Sequence, residues 1–409
     1  MKKKLLCLLF VLSFAIPSLT SCLMAGGGDL FLPEGAQIGD TTINVEGGPT
    51  YEKIEINSNS DKNLLAASRA LLSAVSVRCA FENQDGKTGG SAGSGVIYKL
   101  DKEKGDAYVI TNYHVVYSAN STAKDGISNN INLYLYGMEY MAEGNVSYAI
   151  PATYVGGSMS YDIAVLKVRA STVLMESNAM AATFADSDKV SILETAIAIG
   201  NPGNGGLSAT VGCINVDSEN IDVKFDTSSG KKAVSLRVMR TDAAVNSGNS
   251  GGGLFNDKGE LIGIVNAKDA DMSVDNIGYA IPSNVAKAIA ENAIYYNDGT
   301  VKRCLLGITV GSAKYWTEYD TETGKIQRFE KVVISELTST SAVKDTMKVG
   351  DVINSITVDG VTHEVTRIHH VVDAMLYARV GSTVITNVTR DGVKMDIPTT
   401  ITKNTLTVY

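Results

Sequence analysis

A chain of 409 residues is longer than one hydrophobic core usually serves, and 44% hydrophobic with 20% charged residues is the balance of a folded, multi-domain protein, not a disordered one. Its formal charge of −8 argues against a nucleic-acid partner, because a phosphate backbone is held by a surplus of lysine and arginine.

The chain opens with the basic segment Met1-Lys2-Lys3-Lys4 and an apolar run from Leu5 to Ile16. That run is too short to span a bilayer as a resident helix and reads as a secretory signal. Leu19-Thr20-Ser21-Cys22 resembles a bacterial lipobox, which implies removal of residues 1–21 and membrane attachment through a lipidated Cys22. The alternative is an ordinary cleaved signal before an unmodified cysteine. Cys79, Cys213 and Cys304 follow at wide spacing, which is no disulfide framework, so they read as small buried hydrophobes; one disulfide with a leftover thiol is the other option. Residues 22–60 are rich in Gly, Asn, Ser and Thr and suit a flexible tether.

Asp61 is placed to cap a helix over 62–73, where Leu64, Leu65, Leu71 and Leu72 recur at helical spacing. From 75 to 282 short β-branched or apolar runs are broken by Gly, Asn and Asp, at 94–100, 108–117, 131–136, 162–168, 195–199, 207–216, 233–240 and 260–265. That cadence predicts an all-β barrel or sandwich, divided into halves by the polar stretch 171–191, with a hairpin tip at 101–104. Ser283 is expected to cap a helix over 284–296 that stops at the turn Asn297-Asp298-Gly299, closing a domain of residues 61–298. Residues 299–409 form a second, barrel-like module of strands. It includes the entry Val349-Gly350-Asp351-Val352-Ile353, turns at Asp359-Gly360 and Asp391-Gly392, and a helix-like stretch at 369–378.

The chemistry concentrates in Asn246-Ser247-Gly248-Asn249-Ser250-Gly251-Gly252-Gly253. Glycines around a serine let the backbone expose a hydroxyl beside open amide groups. A hydroxyl is a weak nucleophile near neutral pH and needs an imidazole as base, which in turn needs a carboxylate to hold its tautomer. His114 and Asp162, each at the end of an apolar run, complete such a set with Ser250 in the order His, Asp, Ser, which separates it from the other orders in which this chemistry occurs. The amides of Gly248 and Ser250 are the natural oxyanion donors, with Asn249 contributing conformation.

Thr111-Asn112-Tyr113-His114-Val115-Val116, Asp162-Ile163-Ala164-Val165-Leu166-Lys167-Val168, Ala185-Asp186-Ser187-Asp188-Lys189, Ala198-Ile199-Gly200-Asn201-Pro202, Thr241 through Gly252 and Ile277-Gly278-Tyr279-Ala280-Ile281-Pro282-Ser283-Asn284 together resemble the motifs of the HtrA (Deg) serine proteases. The resemblance implies a trypsin-like double β-barrel, a following α+β PDZ-like domain and cleavage of misfolded or unfolded exported proteins. It also implies a His114–Asp162–Ser250 triad with Gly248 and Ser250 as oxyanion donors. Leu305-Leu306-Gly307-Ile308 resembles the loop that receives a peptide C-terminal carboxylate, with the peptide adding to a sheet edge. An insert at 312–330 that carries Trp316 departs from the compact PDZ pattern and could block or reshape that groove. Ser247 and Gly253 stand where the family usually or often has proline, which predicts a looser resting loop, and Asn249 replaces the aspartate that pairs with a new N-terminus in digestive relatives.

Weaker signals fall away. Gly86-Lys87-Thr88 lacks the first glycine of a phosphate loop, since Phe81 stands there, so no nucleotide or other cofactor is expected. His363, His369 and His370 lack a matching ligand set, Arg367 standing where a zinc motif would continue, and read as a solvated surface with no metal. The expected protein is a lipid-anchored serine endopeptidase of the bacterial envelope, facing the periplasm or the cell surface. Ala244, at the base of the specificity pocket in the resemblance, suggests apolar residues before the cut. The resemblance also carries a possible homotrimer. The competing reading is a protease-fold scaffold that acts as a surface binding protein or holdase.

Overall fold

The computed structural model describes residues 59–409 apart from 124, 139–147 and 267–276. The signal, Cys22 and nearly all of the expected tether lie outside the described residues.

Helix α1 (Asn59–Leu71) leads into β1 (Ala74–Glu82), β2 (Thr88–Asp101), β3 (Asp106–Thr111), the single-turn α2 (Tyr113–Val116), β4 (Asn130–Leu135), β5 (Ile150–Ser158) and β6 (Ile163–Val168). These strands pair in the order β5-β4-β1-β2-β3-β6, and β6 pairs back onto β5 to close a barrel. Its interior is filled by Val77, Ile97, Val109, Leu133 and Leu166. After α3 (Thr172–Glu176), capped by the Ser171 side chain, a second closed barrel runs β10-β11-β12-β9-β8-β7. Its members are β7 (Thr195–Gly200), β8 (Ser208–Thr227), β9 (Gly230–Thr241), β10 (Gly253–Phe255), β11 (Leu261–Asn266) and β12 (Gly278–Pro282). Ala198, Ile214, Met239, Leu254 and Val265 fill it. Closure leaves neither barrel an exposed edge within its ring.

A third cluster, including Ile110, Ile163, Ile199, Phe255 and Ile289, joins outer faces of both barrels to α1 and α4 (Ser283–Tyr296). Burying each such side chain contributes about 1.5–3 kcal/mol, so the barrels are held in one relation. Small residues let α4 approach closely: a Cβ on Gly156 of β5 would lie 3.1 Å from that of Ala293. The helix stops at Asn297, left-handed at φ 48° and ψ 39°, whose amide donates to Ala293 O, as the turn signal predicts.

The remaining strands are β13 (Gly299–Thr300), parallel to β5, then β14 (Lys302–Cys304), β15 (Ile308–Tyr319), β16 (Ile326–Leu337), β17 (Val352–Val358), β18 (Val361–Glu364), β19 (Thr383–Arg390), β20 (Val393–Thr400) and β21 (Leu406–Val408), with α5 (Ile368–Ala374) between β18 and β19. They form a sheet β15-β16-β17-β19-β20, with β18 on β17 and β14 paired to β21. Val332, Ile334, Ile356, Val371 and Val388 make a core of their own. The fold is thus a trypsin-like double barrel followed by a small α+β, PDZ-like module, as the sequence leads one to expect. Both Asp-Gly turns carry positive φ at their two residues, as tight hairpins require.

Local expectations differ in several places. The run at 108–117 is a strand only to Thr111; Asn112 is extended and 113–116 turn helical, which rotates His114 off the barrel wall. Ser283 does not cap α4: it lies inside the helix, and its hydroxyl donates to Ala185 O. Strand 207–216 extends to Thr227 because it pairs with β9 along that length. The insert at 312–330 lengthens β15 and β16 into a hairpin that leans on the second barrel, through Lys325 with Glu194 at 2.7 Å and Arg328 with Asp217. Cys79 and Cys304 are buried as expected, and burial pushes their thiols up to about 12 and about 11. Cys213 is a correction: it is only partly buried, because its side chain faces Asp242 at the barrel surface.

Candidate active site

Asp162 sits between β5 and β6 in the left-handed region, at φ 49°, and is fully buried. An ionised carboxylate there requires donors. His114 supplies two: its backbone N–H donates to Oδ1 at 3.0 Å, and its ring Nδ1 lies 2.7 Å from Oδ2. Since a carboxylate only accepts, Nδ1 is the ring nitrogen that carries a proton toward Asp162, and the neutral imidazole of this tautomer has its lone pair on Nε2. The short helix α2 makes this possible, because it turns the His114 amide and ring toward one carboxylate. Asn112 holds the other side of the turn, donating from Nδ2 to Asp162 O at 2.8 Å.

The serine loop is built on contacts that only glycine permits. A Cβ on Gly248 (φ 99°) would stand 2.1 Å from Asn201 O, and one on Gly251 (φ 84°) 2.2 Å from Ser94 O. The loop is tied from both barrels. Ser94 donates from its amide to Ser250 O at 2.7 Å and from its hydroxyl to Gly248 O at 2.8 Å, while its carbonyl accepts from Thr111 Oγ1 at 2.7 Å. On the second-barrel side Gly251 N donates to Val265 O at 2.9 Å, Gly203 N to Ser247 O at 2.9 Å and Asn249 N to Asn246 O at 2.9 Å. Ser247 and Gly253, where a looser loop is expected, thus stand in a hydrogen-bonded and closely packed segment. Gly253 is buried in β10 between Ile199 and Ile264, where a Cβ would strike the Phe255 ring at 2.2 Å.

Gly93 brings the two halves of the site together. Val115, next to His114, and the Ser250 carbonyl flank it so closely that a Cβ would lie 2.7 Å from one and 2.8 Å from the other. Ser94, Gly93 and Asn266 were not legible as site residues in the sequence. Asn266, at the end of β11, is buried and donates from Nδ2 to Asp162 Oδ2 at 3.0 Å, on the same oxygen that faces His114. The one hint available was its place at the end of a wholly apolar strand.

In the loop that resembles a carboxylate site, the Leu305 amide donates to Thr405 O at 2.7 Å, and Leu306 is buried with its carbonyl accepting from Ser341 Oγ at 2.7 Å. Gly307 (φ 73°) packs on Ser341, and Ile308 begins β15, an edge strand of its sheet.

The histidines at 369 and 370 are a correction to a solvated surface: they lie where α5 meets the second barrel. Burial first, and Arg237 and other cations next, hold His369 toward its neutral form. Asp188, His369 and His370 bring ligand atoms within 4.8 Å of one another. The Thr366 amide donates to His370 Nδ1 at 3.2 Å, which puts the ring proton on Nε2, 3.8 Å from Asp188. At 3.8 Å that proton makes no hydrogen bond to Asp188, and a nitrogen that carries it is a poor metal ligand.

Comparison with known proteins places residues 93–264 under the model for the trypsin-like peptidase domain. A serine protease Do-like HtrA of Lactobacillus helveticus is 32% identical over 318 residues, covering 75% of this chain and 67% of that protein. That of Lactococcus lactis subsp. cremoris is 35% identical over 282 residues, covering 66% and 62%. The periplasmic pH-dependent serine endoprotease DegQ of Escherichia coli is 34% identical over 272 residues, covering 64% and 50%. The chain thus spans less than two thirds of the Lactococcus protein and half of DegQ. Among solved structures, the HtrA-type protease AlgW with tripeptide superposes with a TM-score of 0.50 at 24% identity, covering 85% of this chain and 97% of that one, a likeness of fold.

Proposed function

Because the chain belongs to the HtrA family of trypsin-like serine proteases, we propose that it is a serine endopeptidase in which Ser250 is the nucleophile, His114 the general base and Asp162 the group that orients the imidazole. The observation that carries this reading is the buried Asp162 carboxylate 2.7 Å from His114 Nδ1. Ser250 Oγ attacks the scissile carbonyl carbon as its proton passes to His114 Nε2, and the amides of Gly248 and Ser250 receive the oxyanion. Collapse breaks the C–N bond, with the Nε2 proton leaving on the amine. Water then attacks the ester, returns a proton through His114 and frees Ser250. Each oxyanion donor is worth about a hundred- to a thousandfold in kcat.

The substrates in this reading are unfolded or misfolded exported polypeptides. The module at 299–409 would present Leu306, Gly307 and Ile308 to a peptide C-terminus, with the free edge of β15 taking the peptide as an added strand; the amide of Leu305 is already committed to Thr405. The separate core of that module supports a division into domains at 61–298 and 299–409. Lipidation at Cys22 would anchor the enzyme in the envelope, facing the periplasm or the cell surface, in keeping with the periplasmic relative in Escherichia coli. A trimer is carried by family membership.

Fluorophosphonate labelling and casein cleavage, compared between the parent and Ser250→Ala, test the assignment. Both activities are expected in the parent and neither in the variant. A parent that takes no label and leaves casein intact refutes the enzyme.

A further inference from the structure

Between the β8–β9 hairpin of the second barrel and the C-terminal module lies an open cleft of about 730 Å³, a size common to small-molecule sites, and no residue of the proposed triad lines it. Its walls carry Lys232 and Arg237 from β9, Arg303 from β14, Arg328 from β16 and Arg367 from the turn before α5.

Three carboxylates line the same cleft, those of Glu219, Glu330 and Asp373, against these five cations. Asp217 is shared by Arg328 and Arg367, and Arg237 takes Asp373 together with, at 3.8 Å, Asp188. Glu219 faces Arg240 at 3.4 Å, and Glu330 accepts from the Ser312 hydroxyl and the Ile368 amide. Arg303 donates to neutral groups, the hydroxyls of Tyr161 at 2.6 Å and of Tyr409, over whose ring it also lies at 4.2 Å, and its charge is felt by the Asp373 carboxyl. Arg367 Nε is buried without a hydrogen-bond partner. The field is felt on the wall itself, where Arg237, Arg367 and Arg328 add to burial in disfavouring a charged His369. In a chain of net charge −8, this positive cleft runs against the overall composition.

We propose that the cleft binds a phosphate-class anion, held chiefly by Arg303 and Arg367 and bridging the second barrel to the C-terminal module. A carboxylate would neutralise only one of these two guanidiniums, of which Arg303 donates to neutral hydroxyls and Arg367 has half of an Asp217 carboxylate that it shares with Arg328. A phosphomonoester or oligophosphate brings about two charges and several acceptor oxygens, suited to the forked donors of arginine. A soluble oligophosphate and the phosphomonoester headgroup of a lipid share that chemistry.

Calorimetry on the full chain tests it with inorganic pyrophosphate and, separately, with dihexanoyl phosphatidic acid. One saturable site is expected for at least one probe, weakened about tenfold or more in both Arg303→Gln and Arg367→Gln, as loss of a charge-assisted contact predicts, and unchanged in Lys394→Gln on the β19–β20 hairpin. Binding of the lipid alone assigns the headgroup as the source, and binding of pyrophosphate alone the soluble anion. Circular dichroism checks each fold, and Arg367→Gln decides if Arg303→Gln unfolds. Absence of saturable binding by both probes, or binding that the folded arginine variants retain, overturns the proposal. The readout involves no proteolysis, so its failure is distinct from failure of the endopeptidase assignment.

Discussion

Replacing Gly93 by alanine tests whether the two halves of the site depend on a single missing methyl. The added Cβ would lie 2.7 and 2.9 Å from the Val115 methyls and 2.8 Å from Ser250 O, against an ordinary contact of about 3.5 Å. Relief therefore needs about 0.7 Å of movement, shared between the helix that carries His114 and the loop that carries Ser250. Neither is the far end of a flexible side chain: one is a β-branched stub, the other backbone whose oxygen accepts from the Ser94 amide at 2.7 Å. Overpacking of this kind costs about 1–3 kcal/mol, which for the protease unit lowers the melting temperature by about 2–12 °C. Misplacement by nearly an ångström between nucleophile and base costs about a hundredfold in kcat. Gly93 lies outside the positive-φ region, so alanine brings no backbone strain of its own. Steady-state hydrolysis of a chromogenic peptide with a melting curve is the assay, and KM should change little. A folded variant with parental kcat would refute the idea that Gly93 sets the spacing.

Asp162→Asn is expected to keep the fold and lower peptide hydrolysis by about 10⁴, through the wrong tautomer of His114; near-parental turnover would remove Asp162 from the mechanism. Asn266→Ala takes one donor from the oxygen that faces His114 and leaves the carboxylate and the imidazole less firmly oriented. A loss of about tenfold in kcat with little change in KM is expected, as loss of one hydrogen bond to a charged group predicts, and a parental kcat would make Asn266 merely structural. In the C-terminal module, the two hydrogen bonds from Arg390, at 2.7 and 2.6 Å, hold the Asp351 carboxyl below its ordinary value of 3.8. A carboxyl depressed in the folded state contributes stability that is present above its unfolded pKa and lost as pH falls through the folded one. Arg390→Gln should therefore melt well below the parent at pH 7, with the gap closing below about pH 4, near the unfolded carboxyl pKa; a gap independent of pH would contradict this.

The chemistry proposed for the site was suggested by the chain itself because residue type and order are what such chemistry demands: an imidazole, a carboxylate and a hydroxyl in sequence, and glycines where Asn201 O and Ser94 O leave no room for a Cβ. The barrel class was legible too, from short strands and Asp-Gly turns whose rules are local. The helical turn at Tyr113–Val116 was not, since Val115 and Val116 fit either a strand or a helix, and pairing beyond Thr111 was decided by the partner strand. Nor could local pattern show that His369 and His370 would be covered, because what covers them is a barrel more than a hundred residues away in the chain. Ser94, Gly93 and Asn266 belong to the same class: each earns its place by a contact with a residue remote in sequence, and covalent neighbours carry no record of that distance. The sequence by itself determined which groups are candidates to react and in what order they occur; only tertiary closure of two barrels determined which amides, glycines and arginines would stand around them.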